Sequence, residues 1–206
     1  MNKLNIKKIT LGQMGANCYI IENGDHSIVI DPGDNGLELI QYIESLQIQI
    51  QYILLTHGHF DHIGAVDDLV NKYNCSVYIH ENDYDMFYDD KLNLSSYYKP
   101  LHLQSKVIKV SEHLQLEQFK ITFIHLPGHT KGSCFIVFDD YHIAFSGDVL
   151  FKGSIGRYDF PTSSIEDTKE TIKKMYQMKI NYTIYPGHGE NTTLNDEKLN
   201  NPFFNS

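Results

Sequence analysis

Four residues with metal-binding side chains fall within residues 57–62 of the sequence, in the segment THGHFDH that starts at Thr56. They are His57, His59, Asp61 and His62. One tetrahedral ion cannot take all of its ligands from so short a segment without strain, whereas two neighbouring ions could share them. Imidazole binds Zn and Fe, and a carboxylate adds an oxygen ligand for Zn, Fe or Mn. The segment therefore predicts a site for two metal ions.

Three further metal-binding side chains follow predicted strands, each in a loop that contains glycine. They are His129 in LPGHT, Asp148 in SGD and His188 in YPGHG. In open α/β folds the ends of strands are where ligands collect. The total is seven donors, five His and two Asp. If one Asp bridges two ions, each ion has four protein ligands, although spacing alone does not divide the donors between them.

The remaining histidines and the cysteines are expected to have ordinary roles. A single His outside a motif most often makes hydrogen bonds in the core or at the surface. A buried Cys without a metal partner packs as a small apolar residue. The histidines concerned are His26, His80, His102, His113, His125 and His142, and the cysteines are Cys18, Cys75 and Cys134.

Composition excludes several classes of protein. The chain has 206 residues, 41% of them hydrophobic, and 17 basic against 26 acidic side chains, a net charge of −9. This predicts one globular domain over residues 1–206 and disfavours nucleic acid as a partner, because nucleic-acid binding needs a basic face. No apolar run approaches a membrane span, the first residues lack the apolar core of a leader peptide, and the three cysteines form no CxxC pair. We therefore expect a cytoplasmic protein with no membrane partner; the sequence carries no signal of oligomeric state.

The elements that must position the donors follow an α/β pattern. Runs of β-branched and aliphatic residues predict strands, and apolar residues at helical spacing predict helices over 36–47, 63–73 and 163–178. In the last of these, Ser163 and Glu166 form a capping-box pattern, and Ile165, Ile172, Met175 and Tyr176 form an apolar stripe. The Tyr-rich segment 83–98 is expected to form an exposed helix and loop. The predicted strands are 6–11, 18–21, 27–30, 50–55, 77–79, 107–110, 119–125, 133–138, 142–146 and 182–185.

The segment THGHFDH resembles the THxHxDH signature of the metallo-β-lactamase-fold superfamily. The loops of His129, Asp148 and His188 resemble that superfamily's later metal motifs, and Asp31 in IDPG matches its first motif. The resemblance implies a four-layer αβ/βα sandwich in which two mixed sheets are flanked by helices, with a dimetal site at the strand ends.

A closer resemblance is to the short bacterial glyoxalase II-like hydrolases. It rests on the segments NCY at 17–19, GRYDFP at 156–161, GHG at 187–189, TT at 192–193 and NPF at 201–203, and on Glu197. Larger glyoxalase II enzymes carry a C-terminal helical domain that holds glutathione. This chain ends about twenty residues after His188, so we expect that domain to be absent and leave the thiol carrier open.

The resemblance also implies a division of the ligands. By the family's pattern His57, His59 and His129 hold the first metal. Asp61, His62 and His188 hold the second, and Asp148 bridges both. Asp31 is then a structural hydrogen-bonding residue beside the site.

Arg157 is the only arginine in the sequence. It could form a structural ion pair with Asp159, or it could face the substrate. The implied cofactors are two divalent ions per chain, with Zn as the first choice and Fe or Mn as the others.

These observations predict a metal-dependent hydrolase that acts on a small-molecule thioester. The resemblance suggests an S-2-hydroxyacyl-thiol such as S-lactoylglutathione or a related thiol. A hydroxide shared by the two metals would attack the thioester carbonyl, and Asp61 would orient that hydroxide.

Three alternatives remain open. A mononuclear iron persulfide dioxygenase of the same fold would use His57, His129 and Asp148 as a facial triad. Hydrolysis of a lactone or a phosphodiester could use the same metals. A zinc-stabilised binding module would need closed tetrahedral ligation, which the surplus of donors disfavours.

Overall fold

A computed structural model describes residues 4–117 and 119–204. Within those residues the strands form two six-stranded sheets, with the order β1-β2-β3-β4-β5-β6 in the first and β12-β11-β10-β9-β8-β7 in the second. The strands of the first sheet are β1 (Asn5–Leu11), β2 (Ala16–Asn23), β3 (His26–Ile30), β4 (Tyr52–Leu55), β5 (Ser76–His80) and β6 (Val107–Val110). Those of the second are β7 (His113–Leu116), β8 (Phe119–His125), β9 (Cys134–Phe138), β10 (Ile143–Gly147), β11 (Thr183–Pro186) and β12 (Thr192–Thr193).

Both sheets are mixed. In the first, β1, β2 and β3 pair antiparallel, and β3 to β6 pair parallel. In the second, β10 and β11 pair parallel, and the other neighbours pair antiparallel. Parallel neighbours end at the same edge, so loops that follow them are brought together. The helices are α1 (Gly36–Ser45), α2 (Phe60–Ile63), α3 (Val66–Tyr73), α4 (Tyr84–Tyr88), α5 (Ile165–Gln177) and α6 (Leu194–Asn200).

Three apolar clusters separate the layers. Alternate residues of β2 divide between two of them: Cys18 and Ile20 pack in the cluster that also contains Leu39 and Ile43 of α1. Tyr19 and Ile21 face the other way, into a cluster shared by both sheets. A third cluster joins the second sheet to α5 through Met175. The α/β four-layer sandwich predicted from the sequence is therefore confirmed.

Cys18 and Cys75 pack in the first cluster and Cys134 in the second, which confirms their predicted apolar role.

The start of α5 differs from the prediction. The N-terminal cap is Ser164, whose side chain accepts a hydrogen bond from the Asp167 amide, rather than Ser163. The Ser163 hydroxyl instead donates to the carbonyl of His129 at 2.6 Å. The predicted apolar stripe was also wrong in part, because Ile165 is 45% exposed and Tyr176 is 58% exposed.

Three further predictions differ from the structure. The helix predicted over 63–73 begins later, as α3 at Val66, and Ile63 instead ends the separate helix α2. The short strands β7 and β12 were not predicted: β7 alternates polar and apolar residues over only four positions, and β12 is two threonines long. The Tyr-rich segment 83–98 contains α4 and a 3₁₀ turn at Ser95–Tyr97; Tyr97 and Tyr98 are exposed as expected, but Met86 and Phe87 are buried. In the described part of the chain, no helix is long and apolar enough to cross a membrane.

Candidate metal centre

The seven predicted donors lie where strands of both sheets end. His57 follows β4, His129 follows β8, Asp148 follows β10 and His188 follows β11. Because β10 and β11 are parallel neighbours, their following loops lie side by side, and the Gly187 amide donates to the Gly147 carbonyl at 2.8 Å. Asp61 and His62 begin α2, immediately after the His57 loop.

His57, His59 and His129 form one group, with one ligand atom from each lying within 4.8 Å of the others. All three residues are buried. Nδ1 of His59 lies 2.9 Å from Nε2 of His129. Two imidazole nitrogens bound to one tetrahedral ion at about 2.0–2.1 Å lie roughly 3.3 Å apart, so this spacing suits a shared cation.

Asp61, His62 and His188 form a second group by the same measure. Oδ2 of Asp61 lies 3.4 Å from Nε2 of His188 and 3.8 Å from Nε2 of His62. This group is more open than the first, since the side chain of His188 is 28% exposed. An open side is what a site that admits a substrate requires.

Asp148 lies between the two groups. Its Oδ1 is 3.3 Å from Nε2 of His62, and its Oδ2 is 3.5 Å from Nε2 of His129 and 3.6 Å from Nε2 of His188. One carboxylate therefore contacts histidines of both groups, as a bridging ligand must.

Hydrogen bonds outside the centre orient three of the rings. The Thr56 hydroxyl donates to Asp31 at 2.6 Å, so it accepts from Nδ1 of His57 at 3.1 Å. Nδ1 of His62 donates to Oδ2 of Asp31 at 3.0 Å, and Nδ1 of His129 donates to the Arg157 carbonyl at 2.7 Å. Each ring therefore directs the lone pair of Nε2 inward, the arrangement typical of metal-ligating histidines.

Several inward atoms are buried and have no hydrogen-bond partner. Within the described residues these include Nε2 of His57, Nε2 of His62 and Oδ1 of Asp148. An unpaired buried polar atom costs about 1–3 kcal/mol, and three together would be a large penalty. Divalent cations would satisfy them, so this donor set fits a metal centre.

The pKa shifts of the histidines have opposite directions in the two groups. Burial lowers the pKa of His59 to about 3, with His129 adding to the effect, and burial likewise lowers the pKa of His57 and His129. Burial alone would also lower the pKa of His62 and His188, but the carboxylates beside them raise both pKa values. Burial thus keeps the histidines of the first group neutral, while His62 and His188 favour a positive charge, a proton or a cation, beside the carboxylates.

The same neighbours hold the carboxylates in their charged form. Burial would raise the pKa of Asp61 and Asp148, yet the net pKa shift of each is downward because His62 lies beside both. The pKa of Asp148 is lowered further below its ordinary range than the pKa of Asp61.

Asp83 was not predicted from the sequence, although it joins two of the metal loops. It is fully buried and accepts hydrogen bonds from the Gly58 amide at 3.0 Å, the Gly132 amide at 2.6 Å and the Thr130 hydroxyl at 2.6 Å. Burial raises the pKa of Asp83 to about 6 against these hydrogen bonds. One signal was available, because Asp83 follows β5 closely, as the other donors follow their strands.

The loop of His188 is held by the start of β2. The Asn17 amide donates to the Gly187 carbonyl at 2.7 Å, and the Asn17 side chain donates to the carbonyls of Pro186 and Gly189 at 3.0 Å. The Tyr19 hydroxyl donates to the Pro186 carbonyl at 2.7 Å. Asn17 and Tyr19 of the NCY segment therefore fix the position of the loop that contains His188.

The side chain of Arg157 lies at the surface and pairs with Asp159. Its guanidinium makes two 2.9 Å hydrogen bonds to Asp159 and lies 4.5 Å from the ring centroid of Phe160. Phe160 in turn packs edge-on against His59, with ring centroids 5.4 Å apart. This segment covers the His59 side of the centre and leaves the guanidinium at the surface.

Comparisons with known proteins agree with this geometry. The family model described as "Metallo-beta-lactamase superfamily" matches residues 11–188. A protein of Haemophilus influenzae named hydroxyacylglutathione hydrolase GloC is 34% identical, over 98% of this chain and 99% of its own length.

Two solved structures have the same fold and similar sequences. The BLEG-1 B3 metallo-beta-lactamase superposes with a TM-score of 0.91 at 32% identity, covering 98% of this chain and 100% of its own. TTHA1623, solved in a di-iron-bound form, has a TM-score of 0.86 at 34% identity, covering 96% of this chain and 99% of its own. This chain therefore belongs to the metallo-β-lactamase superfamily.

Proposed function

We propose that this protein is a dinuclear metallohydrolase that cleaves thioesters. The observation that supports it most directly is the position of Asp148, whose two oxygens contact histidines of both groups. A second support is the relative named hydroxyacylglutathione hydrolase, which aligns over nearly the whole chain.

The proposed ligands are divided as the two groups suggest. His57, His59 and His129 would hold one cation, Asp61, His62 and His188 would hold the other, and Asp148 would be shared by both. Two divalent cations bound there would lower the pKa of a shared water and polarise the thioester carbonyl. Zn is our first choice and Fe or Mn are the others; the di-iron form of TTHA1623 keeps Fe in consideration.

The chain's own residues then orient the reaction. Asp61 is the carboxylate of the more open group, and it accepts a hydrogen bond from the attacking water and directs that water at the carbonyl carbon. Phe160 excludes bulk water from the His59 side. The leaving thiolate is a weak base, so cleavage of the C–S bond needs no strong general acid.

The favoured substrate class is an S-2-hydroxyacyl-thiol; S-lactoylglutathione is the member that the relative's name suggests, related thioesters are the others, and a panel of thiols decides the carrier. A second candidate is hydrolysis of a β-lactam amide, which the likeness to BLEG-1 supports. The same water and cations serve both reactions, but an amide has the poorer leaving group. We therefore expect thioesters to be cleaved faster than lactams.

The test combines metal content with hydrolysis. Protein purified without chelator is expected to hold about two ions per chain and to hydrolyse S-lactoylglutathione or another thioester. His59→Ala and Asp61→Asn should lower kcat/KM by about a hundredfold or more, the scale of losing an electrostatic stabiliser. His102→Ala and Asp25→Asn change exposed residues and serve as matched controls.

Two results would overturn the proposal. One is a single iron per chain together with oxygen uptake in the presence of a persulfide, which would support the dioxygenase. The other is a chain with its metal ions bound that cleaves no thioester in a panel of different thiols. Preferential cleavage of lactones, phosphodiesters or β-lactams would move the assignment to those substrates.

A further inference from the structure

A groove of about 1070 Å³ borders the candidate metal centre on the side of Asp61. It is lined by the β1–β2 turn, by the segment between β3 and α1, by the start of α2 and by residues 98–101. Asp61 is itself one of the lining residues. The groove and the candidate metal centre therefore share Asp61.

The groove presents apolar and aromatic side chains. Phe60 and Tyr98 pack with their ring centroids 5.0 Å apart and their planes tilted by 36°. Tyr98 is 67% exposed, Leu37 is 71% exposed and Met14 is 47% exposed. Large apolar side chains that line a groove beside a reactive centre are typical of a ligand-binding surface.

The charges in the groove are mostly negative. Asp34, Glu38 and Asp68 contribute carboxylates beyond Asp61, and Lys99 is the one cation among the described residues that line it. A short chain of hydrogen bonds orders two of the acids: the Asn35 amide donates to Asp34 at 2.7 Å, and the Asn35 side chain donates to Glu38 at 3.1 Å. The guanidinium of Arg157 is engaged with Asp159 and Phe160 and is not among the lining residues.

We infer that the groove binds the thiol-carrier half of the thioester, and that this carrier is apolar and either neutral or cationic. The inference rests on the proposed function. Three carboxylates beside one ammonium disfavour a carrier with a net negative charge, such as glutathione with its two carboxylates and one ammonium. The aromatic pair at Phe60 and Tyr98 favours an apolar or quaternary ammonium group, since the face of a Tyr ring attracts cations.

Direct binding tests the inference without hydrolysis. Three thioethers share one benzyl group and differ in carrier: S-benzylthiocholine is cationic, S-benzyl-N-acetylcysteamine is neutral and S-benzylglutathione is a net anion. Calorimetric titration of the metal-loaded protein at low salt is expected to rank their affinities in that order. Exposed charges are screened at high ionic strength. The differences in affinity between the three thioethers should therefore shrink at about 1 M salt, where the Debye length is about 3 Å.

Variants separate the charge from the apolar surface. The double variant Asp34→Asn, Glu38→Gln should reduce the ratio of cationic to anionic affinity by about twofold to threefold for each carboxylate removed, a modest exposed-charge effect. Asp25→Asn, an exposed acid that is not part of the groove, should leave the ratio unchanged. Tyr98→Ala should weaken binding of all three thioethers, by about threefold to tenfold.

Tightest binding of S-benzylglutathione, or a ratio of cationic to anionic affinity that the double variant Asp34→Asn, Glu38→Gln leaves unchanged, would overturn the inference. Hydrolysis of lactoyl thioesters of the same three thiols is the companion measurement. If the thioethers bind in the expected order but no thioester is cleaved, the proposed function fails and the groove assignment stands. If glutathione thioesters are cleaved fastest and bound best, the proposed function stands and the inference fails.

Discussion

Nδ1 of His62 lies 3.0 Å from Oδ2 of Asp31, and this contact leaves Nε2 of the same ring facing Asp61 and Asp148. Asp31 also accepts hydrogen bonds from the Thr56 amide at 2.8 Å and from the Thr56 hydroxyl. Both oxygens of Asp31 are thus engaged in positioning its neighbours. Although Asp31 could geometrically join a ligand group with His57 and His62, its contacts are those of an orienting residue.

Asp31→Asn is expected to weaken binding of one of the two metal ions. The amide removes the charge that orients Nδ1–H of His62, and substitutions in such outer contacts commonly cost about 10–100-fold in metal affinity. Asn tolerates the positive φ of 50° at this position, so the backbone should be retained. Metal content after dialysis against graded chelator measures the effect, with Asp25→Asn as the control; equal retention of both ions would refute it.

Gly187→Ala is expected to abolish binding of at least one metal ion. A Cβ at this position would lie 2.3 Å from Oδ1 of Asp148 and 2.7 Å from Cε1 of His62, so the proposed ligands must move. Gly189→Ala is the matched control. A Cβ there meets no atom within 4 Å, although its φ of +78° adds strain of about 1–2 kcal/mol. Elemental analysis of both variants should show metal loss in Gly187→Ala alone, and full metal content in that variant would contradict the clash.

Asp83→Asn is expected to destabilise the fold by about 2–3 kcal/mol. The amide has one acceptor oxygen where the carboxylate serves three donors, and hydrogen bonds to a charged group are worth about 1.5–3 kcal/mol each. Urea unfolding of the metal-loaded protein gives the free energy of unfolding. Asp85→Asn, which changes an exposed acid in α4, should be nearly neutral. A loss no larger than that of the control would mean that Asp83 does not hold the two loops.

His80 predicts a pH dependence of stability. Its ring stacks on His125 with centroids 4.3 Å apart, and its Nδ1 accepts from the Asn82 amide at 3.3 Å. Burial, assisted by His125, lowers the pKa of His80 from 6.5 to about 4. Between these values the unfolded chain binds more protons than the folded chain, so stability rises with pH there.

The contribution of His80 to the stability of the fold is therefore fully present above pH 6.5, and it is lost as the pH falls toward 4. Its size is at most about 3.5 kcal/mol, since the pKa falls from 6.5 to about 4 and one pKa unit corresponds to about 1.4 kcal/mol. His80→Gln should flatten this part of the stability profile relative to the parent chain. Urea unfolding at pH 7 and pH 5 measures the difference; parallel profiles would show that His80 does not titrate as inferred.

Much of this protein could be predicted from local patterns. Residues 57–62 concentrate metal donors that a chain rarely places together by chance, and the Gly-containing loops of His129, Asp148 and His188 follow buried strands. Buried strands and helices with one apolar stripe predicted an α/β pattern, and the resemblance of THGHFDH to the metallo-β-lactamase signature implied the four-layer sandwich. These features are local, because periodicity and loop chemistry act over a few residues. The assignment of each donor to a metal, the cytoplasmic location and the absence of nucleic-acid and membrane partners stay predictions.

Only the tertiary structure decided which distant residues meet. Asp148 contacts His62, His129 and His188 because β10 and β11 end beside each other and the two sheets face across the centre. Asp83 joins the loops after β4 and β8 although 25 residues separate it from Gly58 and 49 from Gly132. The cap at Ser164 depended on Ser163 being engaged by the carbonyl of His129. Contacts of this kind depend on how the sheets pack, and no pattern within a single segment of the sequence encodes that packing.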